Sequence, residues 1–327
     1  MKVKRFFNII LGLALLLILL PQAAWAAQGS DFVVTGNPAG YTYGTPDGVL
    51  TFIADGSYTV SMAVYGTTTT TDTILVSSGV TANITLNSVS IELPAAGGGC
   101  AFNMTGAMVN MVPEGANTLR SGGGSAGLQC PAGATLTIAD GPGTGAGSLS
   151  AMGQTSLASA FRAGIGGGDN QDGGTIIIES GTVTASGGSG GAGIGGGRLG
   201  NGGTVEASSG QYGAGIGGGH TGNGGAITIE GGTVNATGGW SDGGAGIGGG
   251  RGGNGGTITI SGGTIAASSH EYDPEYSGAQ DIGRGEGPGS AGSLSIAGTA
   301  AVFLKTNTCT ASVTATTHFR YRHDAYA

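Results

Sequence analysis

Charged residues make up only 9% of this chain, and the basic ones number 11 in 327. So thin a basic complement excludes most nucleic-acid binders, which need a lysine and arginine footprint to neutralise phosphates. Cysteine is scarcer still: Cys100, Cys130 and Cys309 are too few for a disulfide scaffold. The four histidines, His220, His270, His318 and His323, fall at no metal-ligand spacing. Apolar residues past the first 26 positions show no 3.6-residue period, so helices are not expected. Without helices there is no strand-to-helix elbow to expose a nucleophilic serine. Only one apolar run is long, from Ile9 to Leu20. Lys2, Lys4 and Arg5 precede it and Ala24-Trp25-Ala26 follows it, which is the layout of a secretory signal over residues 1–26. A membrane span takes about 20 residues, so this shorter run predicts export without membrane insertion once the signal is cleaved. Cleavage removes three basic residues and no acidic one, and the net charge falls from −8 to −11. That balance also argues against anionic membranes.

What the chain has in abundance is glycine, 74 residues of it. Gly244 to Gly249 reads G-A-G-I-G-G, which fits the dinucleotide fingerprint G-x-G-x-x-G. That fingerprint carries chemistry only where a helix opens behind it. Here glycines fill most of Gly248 to Gly256 and "TITI" follows, so no helix forms and the nucleotide reading falls. The string recurs instead. A-G-I-G-G-G stands at Ala163, Ala192, Ala214 and Ala245, and worn copies surround Phe102, Leu128 and Ile282. The apolar column Phe102, Leu128, Ile165, Ile194, Ile216, Ile247, Ile282 thus repeats at intervals of 22 to 37 residues. Periods of that size predict a solenoid. After each motif come "GGTITISGG"-like and "GTVTASGG"-like stretches whose apolar residues alternate with Thr and Ser, as in Ile258/Ile260 then Ile265/Ala267. Three strand positions per turn with small interior residues give an all-β parallel β-helix.

Stacked coils turn equal positions into ladders. Asp172, Asn201, Asn223 and Asn254 form one, read as turn residues bonding along the stack. The coil alignment sets Cys130 over Met104 and Cys100 over Ala126, so both cysteines read as small apolar core residues; a Cys100–Cys130 disulfide is the alternative. Candidate metal ligands are few. "GGGDNQDGG" around Asp169 and Asp172 lacks the register of a calcium nonapeptide turn, and Glu271, Asp273 and Glu275 read first as a solvated loop.

Two exposed sets carry recognition potential. The residue after each G-I-G-G-G is Asp169, Arg198, His220 and Arg251, with Arg284 nearby in the last coil and Arg162 also beside the motif. On an acidic chain this is a local basic strip suited to carboxylates spaced along a polymer. Tyr212, Trp240, Tyr272 and Tyr276 stand in the loops before the motif, where coil length varies, and flat aromatic faces suit sugar rings. A threonine ladder for ice binding is less regular: Thr182, Thr204, Thr233 and Thr264 begin one, but Thr184, Glu206, Asn235 and Ala266 follow.

The "GAGIGGG…GNGGTITISGG" units, preceded by the "GLQCPAGATLTI" style of coil, resemble the secreted carbohydrate-binding domain-containing β-helix proteins of Gram-positive bacteria, across residues 58–304. The resemblance implies a right-handed parallel β-helix shaped like pectate lyases, binding acidic plant polysaccharide or cellulose, with Ca2+ in the scaffold; no ligands for that ion are assignable by position. The expected organisation is a signal at 1–26, an N-terminal cap at 27–57, the β-helix at 58–304, and at 305–327 a tail that departs from the pattern as a truncated chain would. The expected function is non-catalytic polysaccharide binding, outside the cell or at its surface, through Arg198, His220, Arg251, Tyr212, Trp240, Tyr272 and Tyr276. A structural adhesin or matrix spacer is the rival reading. A pectate-lyase-like enzyme, with Arg198 or Arg251 as base, is a weaker one because no acid cluster matches it.

Overall fold

The structure, a computed structural model, describes residues 25–26, 30–63, 69–139, 141, 147–154, 162–179, 181–195, 212–230, 233–239, 243–269, 278–297, 300–304 and 313–315. The apolar run Ile9 to Leu20, and most of the tail beyond Leu304, lie outside these. All regular structure among the described residues is β-strand, and no helix there is long and apolar enough to cross a membrane.

The chain winds as a parallel β-helix with three walls. On the first wall Ile165, Ile194, Ile216, Ile247 and Ile282 pair in register, continuing the column of Ile74, Phe102 and Leu128. Each of these side chains is fully buried, so the column expected from the repeat is the spine of the core. On the second wall Thr257–Ile260 lies parallel between Ala226–Ile229 and Ser293–Ile296. On the third, Thr264–Ser268 lies between Thr233–Thr237 and Ala301–Leu304. The alternation sends Ile258, Ile260, Ile265 and Ala267 inward, and all four are buried. Burying an isoleucine is worth roughly 1.5–3 kcal/mol, and the described coils repeat apolar burial along the walls.

The N-terminal end is built differently. Phe32–Gly36 runs antiparallel to Gly56–Met62, and Tyr41–Gly44 antiparallel to Val49–Phe52. Parallel pairing begins where Val49–Phe52 meets Thr73–Val76 and Gly56–Met62 meets Thr81–Asn87. Tyr41, Phe52 and Tyr58 form an aromatic cluster there, with Phe52 and Tyr58 centroids 4.6 Å apart. An antiparallel return over an aromatic plug covers the strand edges that a bare solenoid end would offer to other chains.

Of the expected ladder, Asn201 lies outside the described residues, while Asn223 and Asn254 bond along the stack: Asn223 Oδ1 accepts from the Asn254 amide at 2.9 Å, and Asn254 Oδ1 from the Ser290 amide at 2.6 Å. Cys130 sits over Met104 in register and is fully buried. Cys100 donates through its sulfur to the Ala126 carbonyl, and both cysteines are free thiols. Burial pushes each thiol up to about 12, far from the thiolate form that reacts.

Candidate functional site

The local rule behind the site is set at the residue after each buried isoleucine. Gly166, Gly195, Gly217, Gly248 and Gly283 all have φ between +126° and +141°, a region that side chains strain to enter. A Cβ at Gly248 would lie 1.8 Å from the Gly283 oxygen of the next coil. Backbone therefore packs on backbone, and the glycine run turns the chain so that the fourth residue past the isoleucine emerges at the rim.

There it is tied to the coil before. The His220 amide donates to Gly190 oxygen at 2.7 Å, Arg251 to Tyr212 oxygen at 3.0 Å, and Glu286 to Gly243 oxygen at 3.1 Å. In each case the residue four after one isoleucine bonds to the residue four before the previous one. Two columns run side by side as a result. One is Gly190, Tyr212, Gly243 and Gly278; the other is His220, Arg251 and Glu286, with Asp169 further up the stack. Return bonds from the Thr221 amide to Arg251 oxygen and from Gly252 to Glu286 oxygen, at 2.8 and 2.6 Å, hold the second column together.

Of the sequence-predicted residues, this brings Tyr212, His220 and Arg251 into one partly exposed cluster. The Tyr212 and His220 rings stand 5.5 Å apart at 54°. Among the described residues, Gly190 and Gly243 stand before and after Tyr212 in its own column. Arg198, Trp240, Tyr272 and Tyr276 lie outside the described residues, as do Glu271, Asp273 and Glu275.

The basic strip needs three corrections. Arg284 does not belong to it: it occupies the slot that Gly218 and Gly249 fill in the coils before, two residues past the isoleucine, and its guanidinium turns back to the Gly287 oxygen. The last member of the strip is acidic. Gly285 packs on Gly250, where a Cβ would lie 2.0 Å from the Gly250 oxygen, and this sets Glu286 beside Arg251 with Nε and Oε2 3.7 Å apart. Counting four residues on from Ile282 would have found Glu286, but Arg284 breaks the glycine string in "DIGRGEG" and hides the register. Arg162, read as part of the same basic neighbourhood, is only 8% exposed, and its Nε and Nη1 meet no acceptor.

The calcium implied by the family resemblance finds no fit among the described residues. No group of three or more His, Cys, Asp or Glu side chains converges there, and Asp169 is exposed at a turn.

A family model described as Beta helix repeat matches residues 176–198, 201–220, 227–251 and 258–279. Two of the matched units end on the rim column, at residues 220 and 251. No curated protein and no solved structure matches significantly. Repeat model and observed register agree that the chain is built of β-helix repeats.

Proposed function

We propose that this protein is a secreted or cell-surface β-helix that binds polysaccharide without transforming it. The observation that carries this reading is the rim cluster: a part-exposed tyrosine, a histidine and an arginine held on adjacent coils by the backbone. A tyrosine ring presents flat apolar area at low entropic cost, and a guanidinium beside it donates to ring hydroxyls or carboxylates. The coils behind are rigid, so ligand binding need not order a loop at this point. Acidic plant polysaccharide and cellulose are the two polymer classes to test first. The secreted location rests on the signal-like layout of residues 1–26.

Affinity electrophoresis on cellulose derivatives and polygalacturonate tests the proposal. Wild type is expected to be retarded by at least one of them. Tyr212→Ala is expected to weaken that binding about fivefold, which is ~1 kcal/mol, while leaving the melting temperature in place. Retardation by neither polymer would favour the spacer reading instead. Polygalacturonate incubated with calcium at alkaline pH is expected to show no rise in unsaturated-uronide absorbance; a rise abolished by Arg251→Ala would make the protein a lyase.

A further inference from the structure

We infer that Thr221 is a ligand-contacting residue of the rim, where its hydroxyl bonds a sugar hydroxyl. This inference rests on the polysaccharide-binding reading above. The slot five residues past the spine isoleucine takes a left-handed backbone. It holds Asn170, Thr221, Gly252 and Gly287, with φ of +58°, +62°, +77° and +111°. Glycine and asparagine enter that region at little cost. A β-branched side chain does not, so Thr221 is the outlier of the set.

The turn enforces this conformation. The Thr221 amide donates to the Arg251 oxygen at 2.8 Å, and the Gly222 amide closes the turn on the Gly219 oxygen at 2.7 Å. Strain of this kind persists only where the surroundings over-determine it, and it collects at ligand sites. The side chain itself offsets none of it. Thr221 is exposed, and among the described residues its hydroxyl bonds to no protein group. Its neighbours are those of the rim cluster. Thr221 follows His220, whose ring stands 5.5 Å from that of Tyr212. The Arg251 backbone that accepts its amide also donates to the Tyr212 oxygen at 3.0 Å. Main-chain bonds therefore fix Thr221 within the cluster. A hydroxyl both donates and accepts, so it can pair with a sugar hydroxyl in either sense. The contact is neutral and serves cellulose and polygalacturonate alike, since both carry ring hydroxyls.

The test uses the full chain as wild type, Thr221→Val, Thr221→Gly and a remote control, Ser88→Gly. Valine keeps the β-branch and its strain but loses the hydroxyl, whereas glycine loses both. Ser88 is an exposed residue of the N-terminal coils with φ of +55°. Each protein is melted, and each is run in affinity electrophoresis on hydroxyethyl cellulose and on polygalacturonate. Thr221→Gly and Ser88→Gly are expected to raise the melting temperature by roughly 2 °C, and Thr221→Val to leave it in place. Both Thr221 variants are expected to bind the retarding polymer about fivefold more weakly, the loss of one hydrogen bond, while Ser88→Gly stays within about twofold of wild type. Unchanged retardation of Thr221→Val, or no rise in melting temperature in Thr221→Gly, would overturn the inference. If neither polymer retards wild type, the polysaccharide reading itself fails and the inference falls with it.

Discussion

The same turn is closed in two ways along this solenoid. In the N-terminal coils the position two past the spine residue is Val76, Met104 and Cys130, each a buried side chain. In the later coils the same slot is Gly167, Gly218 and Gly249. One position earlier, Leu75, Asn103 and Gln129 give way to glycines with positive φ. The early coils thus fill their corner with side-chain volume, whereas the later ones collapse it until backbone meets backbone. Filling tolerates substitution by anything of similar size. Collapse leaves no room for a Cβ at Gly218 or Gly249, though the last coil carries Arg284 in that slot, and it draws the rim residues of neighbouring coils into fixed contact. The putting of Tyr212, His220 and Arg251 side by side is a product of the collapsed geometry.

The largest expected effect tests whether the two regions are separable. Ile247→Asp would place an unpaired charge in the spine, costing about 5 kcal/mol or more. A solenoid's coils lean only on their neighbours, so the damage is expected to spread through the glycine coils and stop short of the aromatic-plugged end. Limited proteolysis should then leave a resistant fragment covering roughly residues 30–139. Uniform digestion would mean that the two regions fold as one unit.

Next in size is the corner itself. Gly248→Ala meets both a φ of +136° and the Gly283 oxygen. Strain and clash together are expected to cost ~4 kcal/mol. The matching change among the filled corners, Gln129→Ala, is expected to cost less than ~1 kcal/mol, since Gln129 has ordinary φ and a partly exposed side chain. Equal losses by thermal melting would show that the two corners do not differ in the way described.

How much of this was legible in the sequence follows the same division. The spine from Phe102 to Ile282 could be read off because one residue type recurs in a fixed local string, and Cys130 over Met104 followed from it. Glu286 was obscured by a single arginine in a glycine slot. Arg162 read as a surface charge because nothing local signals that the corner closes over it. At the N-terminal end, Asp72 accepts from the Asp31 amide at 3.0 Å and from the Tyr43 hydroxyl at 2.7 Å. Those partners lie 41 and 29 residues away with no repeat to align them, so no periodic reading could have joined them.

Alkaline pH should discriminate between the regions more gently. Tyr43 is pushed up to about 12 by burial, with Asp72 accepting its proton and adding its negative charge, and Cys100 and Cys130 reach about 12 by burial; all three lie in the N-terminal coils. A thiol whose folded pKa is raised stabilises the fold fully below its unfolded pKa of 9.0, and the contribution is lost as pH climbs toward 12. At pH 10 the loss is about 1.4 kcal/mol per thiol. Denaturant melts from pH 8 to 10 are expected to show this slope in wild type and to keep only the smaller part due to Tyr43 in a Cys100→Ala/Cys130→Ala double variant. Iodoacetamide should label neither thiol in native protein at pH 8. A slope undiminished in the double variant would mean that the thiols do not carry it.

The smallest difference expected is between two asparagine ladders. In the filled coils Asn110 Nδ2 donates to Asn83 Oδ1 at 2.8 Å, and Asn83 Nδ2 to Ser57 Oγ at 3.2 Å, all on an exposed face. These bonds join side chain to side chain, and water can replace either partner. In the collapsed coils the asparagine oxygens accept from backbone amides one coil on, so Asn254 satisfies the Ser290 amide while its own amide is held by Asn223. Removing a side chain there leaves a main-chain donor to find water. Asn110→Ala is expected to cost ~0.5 kcal/mol and Asn254→Ala ~1 kcal/mol, the lower and middle parts of the usual hydrogen-bond range. The aspartate variants separate the chemistry further. Asn254→Asp keeps the accepting oxygen and should restore most of the stability. Asn110→Asp loses the donor and turns a carboxylate toward the Asn83 oxygen, so it should be worse than alanine. Chemical denaturation of the four variants reads the order directly. If Asn254→Asp were as damaging as Asn254→Ala, the later ladder would not depend on acceptance from backbone, and the two regions would be stitched alike.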